Sequence, residues 1–154
     1  MSEPIYRKGF SLEVAVAGAL TADYHSRLIE DIKRTGFCHH DGRLTVHLAH
    51  EFGFCYGVDR AVDYAYQARE RFPDRAVYLA GEIVHNPHVN DKLRALGIRF
   101  LSDPDLPITS LGPGDVVILP AFGLTVRTMA ELQRQGCTLV DTTCGSVLNV
   151  WKSV

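Results

Sequence analysis

The sequence lacks the signatures of several common protein classes. Its four cysteines include no CxxC pair, which argues against a zinc ribbon or a thioredoxin-type redox site. It has no Walker A loop and no GxGxxG turn, so nucleotide binding has no support. A net charge of −2 gives no electrostatic reason to expect nucleic acid or an anionic membrane as partner. No apolar run approaches the roughly 20 residues of a membrane span, and MSEPIYRKGF lacks the apolar core of a secretory signal. We therefore expect a cytoplasmic protein whose cysteines are reduced thiols or metal ligands.

What the sequence does contain is a rhythm of short apolar runs and amphipathic stretches. The apolar runs predict strands over 44–49, 76–81, 98–101, 115–121 and 137–141. The amphipathic stretches predict helices over 22–35, 59–71, 87–96 and 125–135, and another that begins at 146. Strands that alternate with helices of about ten residues indicate an α/β fold, a parallel sheet flanked by helices.

The same pattern divides the chain of 154 residues into three parts. Residues 1–43 are weakly patterned and predict an N-terminal extension with one helix. Residues 44–145 hold the complete strand–helix alternation and predict one α/β lobe. Residues 146–154 are expected to begin the helix that leads to a second lobe.

Four chemically notable groups follow predicted strands. They are Cys55, His85, the Phe122–Gly123 pair and Cys144. Because parallel strands end at one edge of a sheet, we expect these groups to converge there. Cys55 stands between two glycines at a predicted helix start, where free backbone N–H groups favour a thiolate.

A structural interpretation competes with this one, because unpaired cysteines are often small buried apolar residues. That interpretation fits Cys38, in the predicted linker, and Cys137, which opens the last predicted strand. A second functional interpretation also stays open. Cys55, Cys144 and His85 could bind zinc in a non-catalytic α/β module, since two cysteines and one histidine are a reasonable zinc ligand set.

Four motifs narrow the choice. They are GFCYGVDRAV (53–62), EIVHNPHVNDKL (82–93), PAFG (120–123) and VDTTC (140–144). In this order and spacing they resemble the 4-hydroxy-3-methylbut-2-enyl diphosphate (HMBPP) reductase family. The N-terminal YRKGF and the long segment before the first predicted strand resemble its cyanobacterial and plastid branch.

The resemblance implies a specific site and reaction. The resemblance implies three α/β lobes around one 4Fe–4S cluster, with one cysteine ligand supplied by each lobe. Cys55 matches the first ligand, Cys144 the second, and His85 a histidine that binds the substrate diphosphate. The implied reaction is reductive removal of an allylic hydroxyl, which yields isopentenyl and dimethylallyl diphosphates in the last step of the non-mevalonate isoprenoid pathway. Ferredoxin or flavodoxin is the implied electron donor.

The chain departs from the family pattern in three ways. The third cysteine ligand and the acidic proton donor would lie beyond Val154, so we expect a fragment that has no catalytic residue of its own and is inactive alone. Phe122 stands where many members carry another diphosphate-binding histidine. The cyanobacterial and plastid branch shares the phenylalanine. Gly145 and Ser146 replace the usual proline and bulky residue after the second cysteine.

Overall fold

A five-stranded parallel sheet forms the centre of the computed structural model, which describes residues 5–153. Its strands lie in the order β1–β7–β6–β4–β5, and every neighbouring pair is parallel. The fold prediction is thus confirmed. The strands are β1 (Ile5–Tyr6), β4 (Val77–Leu79), β5 (Ile98–Phe100), β6 (Val116–Leu119) and β7 (Thr138–Asp141). The six helices of the described part are α1 (Glu13–Tyr24), α2 (Arg27–Arg34), α3 (Tyr56–Arg71), α4 (Pro87–Ala95), α5 (Val126–Gln135) and α6 (Gly145–Lys152), with a 3-10 turn at Ile108–Ser110.

The apolar core occupies both faces of this sheet. Every residue of β4 and β6 is buried, as expected of strands covered on both sides. Val116 and Ile118 pack into one cluster with α3 and α4, whereas Val117 and Leu119 pack into a second cluster with α5. Alternate side chains of one strand therefore hold helices on opposite faces.

The first predicted strand does not join the sheet. Within 44–49, residues Leu44–His47 form β3, which pairs antiparallel with β2 (Cys38–Asp41) in a separate hairpin, and all four β3 residues are exposed. The strand itself was predicted correctly, but its assignment to the parallel sheet was wrong, because LTVH alternates apolar and polar residues instead of forming the continuous apolar run of a strand buried on both faces. The position at the sheet edge belongs instead to β1, which pairs with β7.

The N-terminal region also differs from its prediction. The single helix expected over 22–35 is wrong, since α1 ends at Tyr24 and α2 begins at Arg27. His25 is extended between them, and the Ser26 side chain caps α2 by accepting from the Ile29 N–H at 3.5 Å. The division into 1–43, 44–145 and 146–154 stays a prediction, although β1 and two helices lie within its first part.

The residues that mark helix ends predicted the bounds of the other helices well. Asn86 caps α4 by accepting from the N–H groups of His88 and Val89, and Pro87 is its first residue. Thr125 caps α5, and Gly136 ends it in the left-handed conformation with φ of 72°. Within residues 5–153, no helix is both long and apolar enough to cross a membrane.

Candidate functional site

Cys55 is the N-cap residue of α3. Its backbone carbonyl accepts from the Asp59 N–H at 2.9 Å, while its side chain is exposed and caps no backbone group. The segment 48–54 before it has no regular secondary structure, so Cys55 follows a loop. The prediction of a thiol at a helix start is confirmed, and the strand predicted over 44–49 ends at His47, so a loop separates it from Cys55.

Cys144 occupies the same position at the start of α6. Its N–H donates to the Ala121 carbonyl at 2.9 Å, which ties the turn after β7 to the end of β6. The buried Thr142 reinforces this tie because its hydroxyl donates to the Leu119 carbonyl. Despite its unusual sequence, the Gly145–Ser146 start supports a regular helix.

The surroundings of Cys144 favour its thiolate. The backbone N–H of Ser146 contributes most to holding the pKa of the Cys144 thiol below its ordinary value, and the Val147 N–H and the Arg60 charge add to this. The Arg60 guanidinium is fixed by donating to the carbonyls of Thr143 at 3.3 Å and Arg7 at 2.8 Å. Low-pKa thiols are the nucleophilic and metal-binding ones.

Gly57 brings the two helix starts together. A Cβ atom at this position, two residues after Cys55, would lie 2.7 Å from Cys144 Sγ and 2.9 Å from Cys144 Cβ. The α3 backbone thus runs directly against the Cys144 side chain, an approach only glycine permits. The expected convergence of these two sequence-distant segments is present.

His85 lies in the loop between β4 and α4. Its side chain is 89% exposed, and Nδ1 lies 2.6 Å from Glu82 Oε2. The ring lines a cavity of about 950 Å³ whose other walls come from the end of α1, from α2, from the loop before Cys55 and from α3. Lys33, Gly53 and Asp59 also line it. His85 therefore shares a cavity with the loop that leads to Cys55.

Phe122 and Gly123 border a smaller cavity of about 580 Å³. Phe122 is exposed, and Gly123, with φ of 76°, packs against the ring of Trp151 from α6. The lining is almost entirely apolar apart from Thr125 and Thr128. This pair follows β6 as predicted, next to the helix that Cys144 begins.

The zinc site left open by the sequence is not formed in the described part of the chain. Between residues 5 and 153, no three His, Cys, Asp or Glu side chains lie close enough to hold a metal ion together. The ring of His85 faces Glu82 instead of the two cysteines. Cys137 is buried, as its structural interpretation predicts, whereas Cys38 begins β2 instead of lying in a linker.

Comparison with known proteins identifies the family. The model of the LytB protein family matches residues 46–154, more than two thirds of the chain. This chain belongs to the LytB family. This chain is 46% identical over 155 residues to the 4-hydroxy-3-methylbut-2-enyl diphosphate reductase of Picosynechococcus sp.. It is 45% identical over 156 residues to the reductase of the same name from Acaryochloris marina. Each alignment covers 99% of this chain and 38% of the relative, so the chain spans well under half the relatives' length.

Solved structures agree with this assignment. The structure of this chain is similar to the solved structure of (E)-4-hydroxy-3-methyl-but-2-enyl diphosphate reductase, the terminal enzyme of the non-mevalonate pathway, with TM-score 0.54 and 33% identity. That match covers 65% of this chain and 34% of the other. The Plasmodium falciparum E-1-hydroxy-2-methyl-but-2-enyl-4-diphosphate reductase matches with TM-score 0.61 and 28% identity, over 68% of this chain and 31% of the other. The family resemblance seen in the sequence is confirmed.

Sequence reasoning missed two contributors to the candidate site. Arg60 was not singled out, although its spacing of three from Gly57 places both on the face of α3 that meets Cys144. The end of α1 was not recognised as a wall of the cavity, because the pattern of residues 1–20 is weak. The alanine-rich sequence of residues 13–24 is a local helical signal that could have found this helix.

Proposed function

We propose that this chain forms the N-terminal part of an HMBPP reductase that converts 4-hydroxy-3-methylbut-2-enyl diphosphate to isopentenyl and dimethylallyl diphosphates. The observation that carries the proposal is the pairing of Cys144 with the start of α3 through Gly57, two residues from Cys55. Two cysteines that each begin a helix at one edge of a parallel sheet are an arrangement built for thiolate chemistry. The names of relatives that align over 99% of the chain support a reduction of 4-hydroxy-3-methylbut-2-enyl diphosphate.

Cys55 and Cys144 are the proposed ligands of a 4Fe–4S cluster. Thiolates are the preferred ligands of such clusters, and both cysteines lie where backbone N–H groups stabilise negative charge. The donor set therefore fits the cluster in kind but not in number. The proposal places the third cysteine in the part of the relatives that this chain does not span. When bound, the cluster would supply the electrons that remove the allylic hydroxyl.

His85 is the proposed ligand of the substrate diphosphate. It directly precedes the Asn86 cap of α4, and a helix N-terminus is a favourable position for a phosphate group. Glu82 orients the ring by accepting from Nδ1, and in its imidazolium form His85 also donates through Nε2 towards a phosphate oxygen. Lys33 also lines the cavity, with its ammonium paired to Glu30 at 2.9 Å. We assign no acid–base residue within this chain, and the proton donor is proposed to lie in the unspanned part.

We also propose an electron donor and a cellular location. The relatives' reaction is a reduction by name, so an electron donor is required, and ferredoxin or flavodoxin is the proposed class. The proposed location is the cytoplasm, where an oxygen-sensitive iron–sulfur site with free thiolates would be maintained in reduced form.

A chimeric enzyme tests the proposal. This chain is joined after Val154 to the part of the Picosynechococcus reductase that follows the aligned region, and both the chimera and the chain alone are reconstituted with iron and sulfide without oxygen. We expect about four irons and four sulfides in the chimera and no stable cluster in the chain alone. Cys55→Ser and Cys144→Ser should each lower HMBPP reduction by the chimera by roughly 100-fold or more.

Cys38→Ser is the matched control, since Cys38 is a partly exposed thiol away from the proposed site. Its chimera should keep full iron content and activity. Stoichiometric zinc in the chain alone, lost in Cys55→Ser and Cys144→Ser, would instead support a zinc-binding module. Unchanged iron content in both serine variants of the chimera would contradict the ligand assignment.

A further inference from the structure

The C-terminal end of α1 is bound to two other helices through one aspartate. Asp23 accepts from the Tyr66 hydroxyl of α3 at 2.6 Å and from the Lys92 ammonium of α4 at 2.6 Å, each on a separate carboxylate oxygen. The Asp23 backbone carbonyl accepts a third bond, from His88 Nε2 of α4 at 3.2 Å. The carboxylate is 21% exposed, so these bonds are partly shielded from water.

Tyr24, the residue after Asp23, connects the end of α1 to the loop that precedes Cys55. The Tyr24 ring makes edge-to-face contacts with Tyr66 at 6.1 Å, His88 at 5.9 Å and Phe54 at 5.7 Å between ring centroids. Phe54 immediately precedes Cys55. Within 49–56 it is the one residue that is not exposed, and it packs against the main core cluster. The Tyr24–Phe54 contact is therefore a principal attachment of the loop that delivers Cys55.

Asp23 connects the helices that follow the two proposed binding residues. Cys55 begins α3, which contributes Tyr66, and His85 directly precedes the cap of α4, which contributes Lys92 and His88. Tyr24, Phe54 and His85 all line the cavity of about 950 Å³. The relative position of α3 and α4 at this cavity is thus set partly by α1.

We propose that Asp23 and Tyr24 are positioning residues that hold Cys55 and His85 in a fixed relation across this cavity. Both precede the residues that the LytB family model matches, so this role belongs to the segment in front of the family core. The inference rests on the proposed function for the roles of Cys55 and His85. The mechanical coupling of α1 to α3 and α4 is independent of that function and can be measured in the chain alone.

Hydrogen exchange of the chain alone tests the coupling. The probes are the first hydrogen-bonded turns of α3 and α4, where the Asp59 N–H donates to Cys55 and the Asn90 N–H donates to Asn86. In Asp23→Asn we expect amides 59–62 and 89–92 to exchange at least tenfold faster, while amides of β7 accelerate no more than the roughly fivefold that a loss of about 1 kcal/mol in global stability produces. Tyr24→Phe keeps the ring and should exchange like the parent, whereas Tyr24→Leu should accelerate amides 59–62.

Asp103→Asn is the matched control. It breaks a comparable ion pair, Arg94–Asp103 at 2.9 Å, at the other end of α4. Exchange at 59–62 should be unchanged in this variant. Equal acceleration throughout the sheet in Asp23→Asn, or none at 59–62, overturns the proposal. If Asp23→Asn does not fold, Tyr24→Leu against Tyr24→Phe decides the question.

The chimera supplies a readout that a purely structural role would not change. The electron paramagnetic resonance spectrum of the reduced cluster should shift in Asp23→Asn and stay unchanged in Asp103→Asn. An unchanged spectrum in Asp23→Asn refutes positioning of Cys55, even where exchange has accelerated. A chimera that takes up no cluster at all defeats the proposed function, while the exchange experiment still decides the coupling.

Discussion

At the scale of single residues, Gly57 carries the most specific structural requirement of the site. Glycine near a helix start is normally a liability, because alanine is about 1 kcal/mol more favourable within a helix. Here a methyl group would overlap Cys144 Sγ, at 2.7 Å. We therefore expect Gly57→Ala to destabilise the chain by about 1–3 kcal/mol in urea unfolding, the usual cost of overpacking. It should also lower the alkylation rate of Cys144, because displacing the start of α6 moves the Ser146 and Val147 N–H groups away from the thiolate.

Gly18→Ala separates this effect from helix propensity. Gly18 lies within α1, and a Cβ atom there would meet no atom within 4 Å. This substitution should leave stability unchanged or raise it by roughly 0.5–1 kcal/mol. Stabilisation by Gly57→Ala of the same size as by Gly18→Ala would show that α3 and Cys144 are not in close contact.

At the scale of secondary structure elements, sequence reasoning succeeded where the signal was local. The continuous apolar runs of β4 and β6, the Asn86–Pro87 start of α4 and the Gly136 end of α5 each act within a few residues. It failed where an element depends on a distant partner. The two residues of β1 become a strand only by pairing with β7, more than 130 residues later. One local signal was also missed: the strand at 44–47 was recognised, but the Asp41–Gly42 turn that pairs it with β2 in a hairpin was not.

The site shows the same division. Cys55, His85 and Cys144 could be placed at helix starts because glycine, proline and apolar runs mark those ends. The Asp23 anchor could not be foreseen, since Tyr66 and Lys92 lie 43 and 69 residues further along the chain. Charged and aromatic partners at such separations leave no periodic signal in one sequence.

The anchor of α1 predicts a defined pH dependence. The Lys92 ammonium, and then the Tyr66 hydroxyl, hold the pKa of the Asp23 carboxyl below its ordinary value. A lowered native pKa means that the stabilisation is fully present above the ordinary value of about 3.9 and is lost as pH falls through the native pKa. Asp23→Asn should therefore cost about 1 kcal/mol at pH 7, and this difference from the parent should shrink below pH about 4. Urea unfolding at several pH values measures it, and a difference that grows on acidification would contradict this assignment.

At the scale of the whole molecule, stability and proposed chemistry occupy opposite edges of the sheet. The carboxyl ends of the strands carry Cys55, Cys144 and the cavities, whereas the amino ends are closed by Arg75. Its guanidinium donates to the Gly114 carbonyl at 2.7 Å and to the Thr138 hydroxyl at 2.9 Å. It also bonds the carbonyls of Pro113 and Asp115, so one side chain joins the starts of β4, β6 and β7.

This separation predicts that global stability can be lowered without disturbing the site. Arg75→Met should reduce the free energy of unfolding by about 2–3 kcal/mol, because several charge-assisted bonds to strand ends are lost together. Arg127→Met, at an exposed position on α5, should change it by no more than about 0.5 kcal/mol. Under native conditions the ratio of Cys55 to Cys144 alkylation should be the same in Arg75→Met as in the parent. A changed ratio would mean that the two edges are coupled through the sheet, and the site could then not be treated as a structure held in place by its own helix starts and by α1.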